Sequence, residues 1–305
     1  MWNWLKGCAV AGLVGGLGAA VPEITPTLVV PVAGPGNFQP SGLAVVDGVL
    51  FTVSDKHDDG VYQLDPGAAQ WTARLAVPLR GLVAPEKLDL EGVVPDSAGG
   101  FFLVSEEQCR VLQATKDGVA QWLTDDLRGA PAVKQAELLR THNAGFEGLA
   151  RLAPGHFLLA AERQPRGLVE VNLAETPARI AAGKMHCSAF PEKGARQADF
   201  ADLAVWHGRV FALVRNLALV CELVREPTSP AGWREGVAVS YAQTETDPRY
   251  RYTDTTYGLA EGLALDDAHL YVIYDNNGDA LAADPSDRRA RLFIFANPFA
   301  APTTQ

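Results

Sequence analysis

Acidic residues recur at two kinds of position in this chain, each beside a short apolar run. The first set stands before glycine or leucine at the start of such a run and contains Glu91, Glu147, Asp202 and Glu261. The second set follows the next apolar run and contains Asp55, Glu106, Glu162, Asn216 and Asp275. Carboxylate and amide oxygens are hard ligands that suit calcium. Neither set contains histidine or cysteine, which argues against zinc, copper and haem iron.

Basic residues lie close to the second acidic set in the sequence, and they allow two interpretations. The residues concerned are Lys56, Arg110, Arg163 and Arg215. In a purely structural interpretation they pair with the carboxylates of neighbouring units, while a glutamate before glycine caps backbone N–H groups. In a functional interpretation they bind an anionic substrate that lies over a metal ion. The residue types alone leave both open.

Two histidines lie near the acidic positions and could transfer protons. His57 follows Asp55, and His142 precedes Glu147 by five residues, so either is a candidate general acid or base. The chain contains no G-x-S-x-G segment, P-loop, dinucleotide fingerprint, EF-hand loop or H-E-x-x-H segment. A hydrolytic reaction would therefore depend on a metal that polarises a substrate oxygen and lowers the pKa of a bound water.

A repeat of roughly 50 to 60 residues accounts for the spacing of the acidic positions. Its first segments begin at Ser41, Glu91, Glu147, Asp202 and Glu261. Each is followed by a turn and a second β-rich run, and in most units by a third. Short β-branched runs bounded by Gly, Pro and Asp are typical of strands. Up to four strands per repeat predict an all-β protein with the β-propeller fold.

The repeat predicts five blades in a single domain that covers residues 21–305. Six blades would require a degenerate unit, for which residues 217–256 offer room. The last repeat ends after its third strand near Asn297, and the isolated strand from Thr27 to Ala33 is expected to complete that blade. Two stacked β-sandwich domains are the competing architecture.

The distance of each carboxylate residue from the turn of its hairpin, counted in residues, predicts where the carboxylates meet. Glu91 and Glu106 are equidistant from the turn at Ser97 to Gly99, and such residues lie opposite each other in an antiparallel hairpin. The other units follow the same rule. Because the first strand of each propeller blade lines the central channel, both acidic sets should surround one end of that channel. Like charges so close together require a cation, a basic partner or a shared proton.

The composition and the N-terminal segment indicate where the protein is located in the cell and which classes of partner it does not bind. The chain has 305 residues, of which 48% are hydrophobic, and a formal net charge of -10; this acidic balance argues against nucleic-acid binding. Residues 1–20 contain one lysine and then small and apolar residues, which predicts a signal peptide and a periplasmic or secreted protein. Cys8 suggests a lipoprotein, but its apolar run follows the cysteine instead of preceding it. We expect a monomer without a transmembrane span in the mature chain.

Several segments resemble a known family of proteins. They are SGLAVVDGVLFTVSDKH, DLEGVV with GGFFLVSEE, NAGFEGLA with FLLAAER, and EGLAL with YVIYDNNG. Together they look like the phytase-like domain described as having esterase-like activity, and they are similar to the SdiA-regulated propeller proteins. The resemblance covers about residues 37–280. It implies an exported bacterial β-propeller that binds calcium and hydrolyses phosphoesters or carboxyl esters.

Three functions from different classes are consistent with these features. The first is a calcium-dependent hydrolase of small anionic or ester substrates. The second is a propeller without catalytic activity that binds a ligand or partner at the same rim and holds calcium as a structural ion. The third is an interaction protein of the cell envelope, for which only the leader argues.

Overall fold

The computed structural model describes residues 21–82, 87–185, 190, 197–254 and 256–300. Strands dominate these residues because β-branched and aromatic side chains alternate in short runs that end at Gly, Pro or Asp. Strand β1 spans Leu28–Ala33. Two short helices, α1 and α2, span Pro131–Gln135 and Ala242–Thr246. Two 3-10 turns occupy Leu127–Gly129 and Arg215–Leu217.

Together with β1, the remaining described strands form five units of four. The first unit contains β2 to β5, which span Pro40–Val46, Val49–Ser54, Gly60–Asp65 and Trp71–Pro78. The second contains β6 to β9, which span Leu90–Pro95, Phe101–Ser105, Arg110–Ala114 and Ala120–Trp122. The third contains β10 to β13, which span Phe146–Ala153, His156–Ala161, Gly167–Asn172 and Arg179–Lys184.

The last two units complete the order. The fourth unit contains β14 to β17, which span Asp202–Trp206, Arg209–Val214, Leu219–Arg225 and Trp233–Ser240. The fifth contains β18 to β20, which span Ala260–Leu265, His269–Tyr274 and Ala290–Ala296. Its fourth strand is β1, which pairs with β20 antiparallel from Leu28 opposite Ile294 to Val32 opposite Ala290. The expectation that an N-terminal strand completes the last unit is therefore met.

The units are arranged in a ring around one axis. Each first strand contacts the first strands on either side of it, in the order β2, β6, β10, β14, β18 and back to β2. A parallel bridge between Val32 of β1 and Trp71 of β5 also joins the fifth unit to the first. The protein is thus an all-β propeller, as the repeat predicts. Five units are described, while the number of blades in the whole chain stays a prediction.

The hydrophobic core is divided among the interfaces between units. Each of five buried clusters draws its side chains from two neighbouring units. Phe102 and Phe157, for example, come from the second and third units, and their ring centroids are 4.9 Å apart. Cys109 and Cys221 are buried free thiols in two of these clusters. Each blade is therefore stabilised by its neighbours.

The hairpins place the acidic positions at one end, but with a different register from the expected one. Glu91 does not pair with Glu106; Leu90 pairs with Ser105 and Gly92 with Val104. Asp202 pairs with Leu213 instead of Asn216. The second-set residues lie just beyond the ends of their strands, so the predicted opposition was wrong by one to three residues.

The structure does not describe two parts of the chain that the sequence analysis discussed. The predicted signal peptide at residues 1–20, including Cys8, and the third cysteine, Cys187, lie outside the described residues. Within the described part of the chain, no helix has the length and apolar character needed to cross a bilayer.

Candidate functional site

A cavity of about 490 Å³ opens at the end of the axis where the first strands begin. Eight carboxylate residues line it: Asp55, Asp89, Glu91, Glu106, Glu147, Glu162, Glu261 and Asp275. Four cationic residues also line it: Lys56, Lys87, Arg163 and Arg215. Ser41 and Asn216 contribute neutral oxygen atoms. The acidic positions of the repeat therefore do meet in one place, and they outnumber the cations there.

β-bulges direct three glutamates into this cavity. The strand registers shift at Glu91 in β6, at Glu147 in β10 and at Glu261 in β18. The extra residue of a bulge leaves the ladder, bends the strand and re-aims its side chain. All three bulges fall on the glutamate of a Glu-Gly pair, which gives the repeated motif a structural role at the rim of the channel.

The glycine of each Glu-Gly pair lets neighbouring first strands approach closely. A Cβ atom on Gly148 would lie 2.7 Å from the backbone nitrogen of Leu203, and one on Gly92 would lie 2.8 Å from that of Leu149. On Gly262 it would lie 2.8 Å from the carbonyl carbon of Gly42. Real Cβ contacts are not this short, so the ring needs glycine where the strands converge.

Asp202 occupies the equivalent place in the fourth unit but has a different role. Its strand has no bulge, and its side chain is buried beside the axis without lining the cavity. Its Oδ2 accepts hydrogen bonds from the backbone nitrogens of Leu43 at 3.1 Å and Leu263 at 2.8 Å. Burial raises the pKa of this carboxyl well above its usual range. Asp202 therefore joins three units, and it lies outside the cavity lining that contains the other predicted metal ligands.

The cavity carboxylates form two groups of three. One group contains Asp55, Asp89 and Glu91, and the other contains Glu106, Glu147 and Glu162. In each group, one carboxylate oxygen per residue lies within 4.8 Å of the others. Asp55 Oδ1 and Glu162 Oε2 are buried and accept no hydrogen bond. Closely spaced hard oxygens, two of them lacking a donor, are able to hold a metal ion.

Burial and mutual repulsion disfavour ionisation of these groups. Burial raises the pKa of Glu91 well above its usual range, and the charges of Asp55 and Glu106 raise it further. Burial likewise raises the pKa of Glu147 well above its usual range, and the negative charge of Glu91 raises it further. The pKa of Asp275 reaches about 8, chiefly through burial. A cation in the cavity would reverse these shifts, because it stabilises the ionised forms.

Arg215 is part of the buried wall of the cavity and not an exposed anchor. Its Nε donates to Asp199 Oδ2 at 2.8 Å, its Nη1 donates to Glu261 Oε1 at 2.5 Å, and its Nη2 donates to Glu162. Burial by itself lowers the pKa of the guanidinium, but the charges of Glu261, Asp199 and Glu147 outweigh it and raise that pKa well above its ordinary value. Asp199 was not among the predicted residues.

Three other cations lie at the mouth of the cavity, and we call them the rim cations. They are Lys56, Lys87 and Arg163, whose side chains are 44%, 50% and 40% exposed. Lys56 and Arg163 were predicted as substrate-binding residues, whereas Lys87 was not. Arg110, also predicted, is elsewhere: its guanidinium lies 4.4 Å from the centroid of the Trp122 ring, and its Nε donates to the Thr124 carbonyl at 2.8 Å.

Neither predicted proton-transfer histidine lines the cavity. His57 lies with its ring centroid 6.1 Å from that of Phe38, and its Nε2 is buried. His142 is exposed on a loop. The local sequence placed both near the acidic end, but the side chains do not reach the site.

Asp89 and Tyr257 are among the further lining residues that the sequence did not point to. Asp89 lies two residues before Glu91 in a left-handed conformation, with φ of 54°, and no other unit has an acidic residue at that offset. Tyr257 is 66% exposed at the mouth. The only signal for Asp89 is its closeness to Glu91, and the repeat gives none for Tyr257.

Comparison with known proteins agrees with this architecture. Residues 36–189 match the family model described as phytase-like, with the esterase-like activity of phytase. The chain belongs to this phytase-like family. The matched region of the phytase-like chain includes both groups of three carboxylates and all three rim cations. No curated protein matches the chain.

Solved structures resemble the phytase-like chain in fold. The crystal structure of Myxococcus xanthus glutaminyl cyclase is 14% identical, with 90% of this chain and 97% of that chain covered and a TM-score of 0.50. The PQQ-bound aldose sugar dehydrogenase of Streptomyces coelicolor is 13% identical, with 90% and 100% covered and a TM-score of 0.46. At 14% identity, the likeness to the glutaminyl cyclase concerns the fold alone.

Proposed function

We propose that this phytase-like propeller binds calcium in the acidic cavity and hydrolyses phosphoesters or carboxyl esters there. The observation that carries the proposal is the layering of the cavity. Its interior holds two groups of three carboxylates, including buried oxygens without a donor, and its mouth holds the rim cations. A cation inside and basic side chains outside suit an anionic substrate that reaches from one to the other.

The residues would divide the work by position. Calcium would be held by the two groups of three carboxylates, which are Asp55, Asp89 and Glu91 in the first and Glu106, Glu147 and Glu162 in the second. When bound, the ion supplies Lewis-acid polarisation of a substrate oxygen. The rim cations would orient the anionic group of the substrate. Arg215 keeps Glu162 and Glu261 in place through its two hydrogen bonds. The ordered wall preorganises the site before substrate enters.

The second candidate is a propeller that binds a ligand or partner with calcium as a structural ion. One observation favours it: among the described residues, no histidine lines the cavity, so the usual side chain for proton transfer is missing. Export to the periplasm or beyond is proposed for either function from the leader-like residues 1–20, and a monomeric state is proposed for either function as well.

Calcium titration with thermal melting tests the metal part of the proposal. Ligand that binds only the folded state must raise its stability, so the wild type should melt at increasing temperature as calcium increases. Glu147→Gln should reduce the shift strongly, because it removes one charged ligand. Glu226→Gln changes the same chemistry outside the cavity and should leave the shift unchanged. A wild type indifferent to millimolar calcium would refute the metal site.

Hydrolysis assays separate the two candidate functions. Aryl esters, aryl phosphates and phytate should be offered with calcium and with a chelator. Calcium-dependent turnover that Glu147→Gln abolishes would support the hydrolase. Calcium binding without turnover of any of these substrates would favour the ligand-binding propeller.

A further inference from the structure

Each rim cation is paired with one carboxylate of the cavity interior. Lys56 contacts Asp55, Lys87 Nζ lies 2.6 Å from Asp89 Oδ2, and Arg163 contacts Glu162. The carboxylates Asp55, Asp89 and Glu162 are only 18%, 8% and 1% exposed, whereas their cationic partners are about half exposed. In all three pairs the acid faces inward and the base faces solvent.

The paired carboxylates are also members of the two metal-capable groups. Asp55 and Asp89 belong to the first group and Glu162 to the second. A carboxylate that binds a divalent ion has less charge to offer an ammonium or guanidinium group. The ion carries two charges and contacts several carboxylates at once, so it competes effectively with monovalent partners. Asp55 Oδ1 and Glu162 Oε2 are buried and accept no hydrogen bond, so the ion can bind them before either ion pair breaks.

We propose that Lys56, Lys87 and Arg163 form an anion-binding site that is masked by these ion pairs and unmasked when a divalent cation binds inside the cavity. The ligand class is a compact dianion of the phosphate or phosphonate type. This inference rests on the proposed function, because it takes the calcium site as its trigger. It adds a property that a calcium site alone lacks. Calcium and the phosphate-type anion would each strengthen the binding of the other, and the rim cations would couple the two.

The positions of the rim cations support this exchange. Lys56 interacts with Asp55, Asp275 and Asp89, and Lys87 interacts with Asp89, Asp55 and Glu106. Both lysines therefore face the same acidic group and would both lose attraction when that group is neutralised. Arg163 is held separately, because its Nη2 donates to the carbonyl of Asn143 at 2.6 Å. Its guanidinium would stay at the mouth after Glu162 turns to the ion.

Coupling between two ligands is reciprocal, so it can be measured from either side. Isothermal titration calorimetry measures the affinity for calcium and the affinity for methylphosphonate, each alone and with the other ligand at saturation. Methylphosphonate is used because it cannot be hydrolysed as an ester. We expect calcium to tighten methylphosphonate binding by about tenfold and methylphosphonate to tighten calcium binding by the same factor, within the usual range of coupling.

A double variant distinguishes unmasking from direct contact between the anion and the metal. Lys56→Met with Lys87→Met should bind calcium at least as tightly as the wild type, because an internal competitor is removed, while methylphosphonate binding weakens and the coupling factor falls toward one. Lys116→Met with Lys134→Met removes the same charge from exposed lysines outside the cavity and should keep the wild-type coupling. Circular dichroism confirms that both variants fold.

The outcomes separate this inference from the proposed function. Coupling that persists in Lys56→Met with Lys87→Met, or methylphosphonate binding that ignores calcium, would overturn the masked site while leaving a calcium-dependent hydrolase intact. A wild type that binds no calcium would overturn both. Reciprocal coupling that only the rim variant loses would support the masked site even if no hydrolysis is found.

Discussion

Acidic residues in equivalent positions of this propeller do different work. Glu91, Glu147 and Glu261 occupy β-bulges and line the cavity, whereas Asp202 lies on a regular strand and accepts backbone hydrogen bonds beside the axis. The difference depends on one residue of strand register and on one methylene group of side-chain length. At this scale, function follows local backbone geometry more closely than residue type.

Replacing Asp202 should destabilise the ring without affecting the calcium site. Asp202→Ala leaves the buried N–H groups of Leu43 and Leu263 without an acceptor, and each unsatisfied group costs roughly 1–3 kcal/mol. Urea unfolding should show a loss of about 2–6 kcal/mol, while the calcium-induced melting shift persists. Asp117→Ala on an exposed turn is the control. A variant that keeps its stability but loses the calcium response would make Asp202 a ligand after all.

Replacing Arg215 should have a cost that depends on calcium. Arg215→Met leaves Asp199, Glu162 and Glu261 without their shared cation. Removing one partner of a buried ion pair typically costs about 3–5 kcal/mol. We expect a loss of this size in chelator and a clearly smaller loss in calcium, because the ion then compensates the carboxylates. Equal losses in both conditions would show that calcium does not reach this wall.

Sequence reasoning identified most of the cavity at the residue scale and missed what periodicity cannot encode. The repeat identified Glu91, Glu147 and Glu261 because the same strand recurs in each unit. Asp89 lies outside the strand in a left-handed conformation found at no equivalent position. The histidines were chosen for closeness in sequence, which does not determine side-chain direction.

At the scale of elements, the Glu-Gly pair combines packing with site construction. The glycine lets one first strand contact the backbone of the next, and the bulge at the glutamate turns its carboxylate inward. The repeat predicted strands and a ring because up to four short β-rich runs per unit are typical of propeller blades. It predicted the wrong register because bulges shift the pairing and leave no mark in a count from the turn.

A methyl group at Gly148 should disturb the ring where the third and fourth units meet. A Cβ atom there would lie 2.7 Å from Leu203 N and 2.9 Å from Asp202 Cα, so a backbone must move. Gly148→Ala should lose about 1–3 kcal/mol of unfolding free energy, as overpacked cores do. Gly129→Ala is the matched control, since its Cβ would meet no atom within 4 Å. Equal stabilities of the two variants would contradict the close approach.

At the scale of the whole molecule, stability should depend on pH in an unusual direction when calcium is absent. The pKa of Asp275 rises from 3.8 to about 8 on folding, and burial raises the pKa values of Glu91 and Glu147 as well. Between the unfolded and folded pKa values, the folded state binds more protons. The unfolding free energy from this group of acids therefore falls as pH rises from about 4 to about 8.

Melting curves in chelator and in calcium between about pH 5 and about pH 9 measure this effect. In chelator the melting temperature should fall across that window. In calcium the fall should flatten or disappear, because a bound cation favours the ionised carboxylates. Parallel curves in the two conditions would show that the acidic cavity does not hold the ion.

The pairing of β1 with β20 sets the order in which the molecule can be made. Val29 lies opposite Phe293, so β1 must wait for a partner strand that is translated much later. Pairings between distant segments form slowly because a long loop must close first. A nascent chain can assemble its first four units as they emerge, yet the sheet that carries Glu261 and Asp275 has only β18 and β19 until β20 arrives and pairs with β1. Assembly of the acidic cavity is thereby delayed until β20 has been translated.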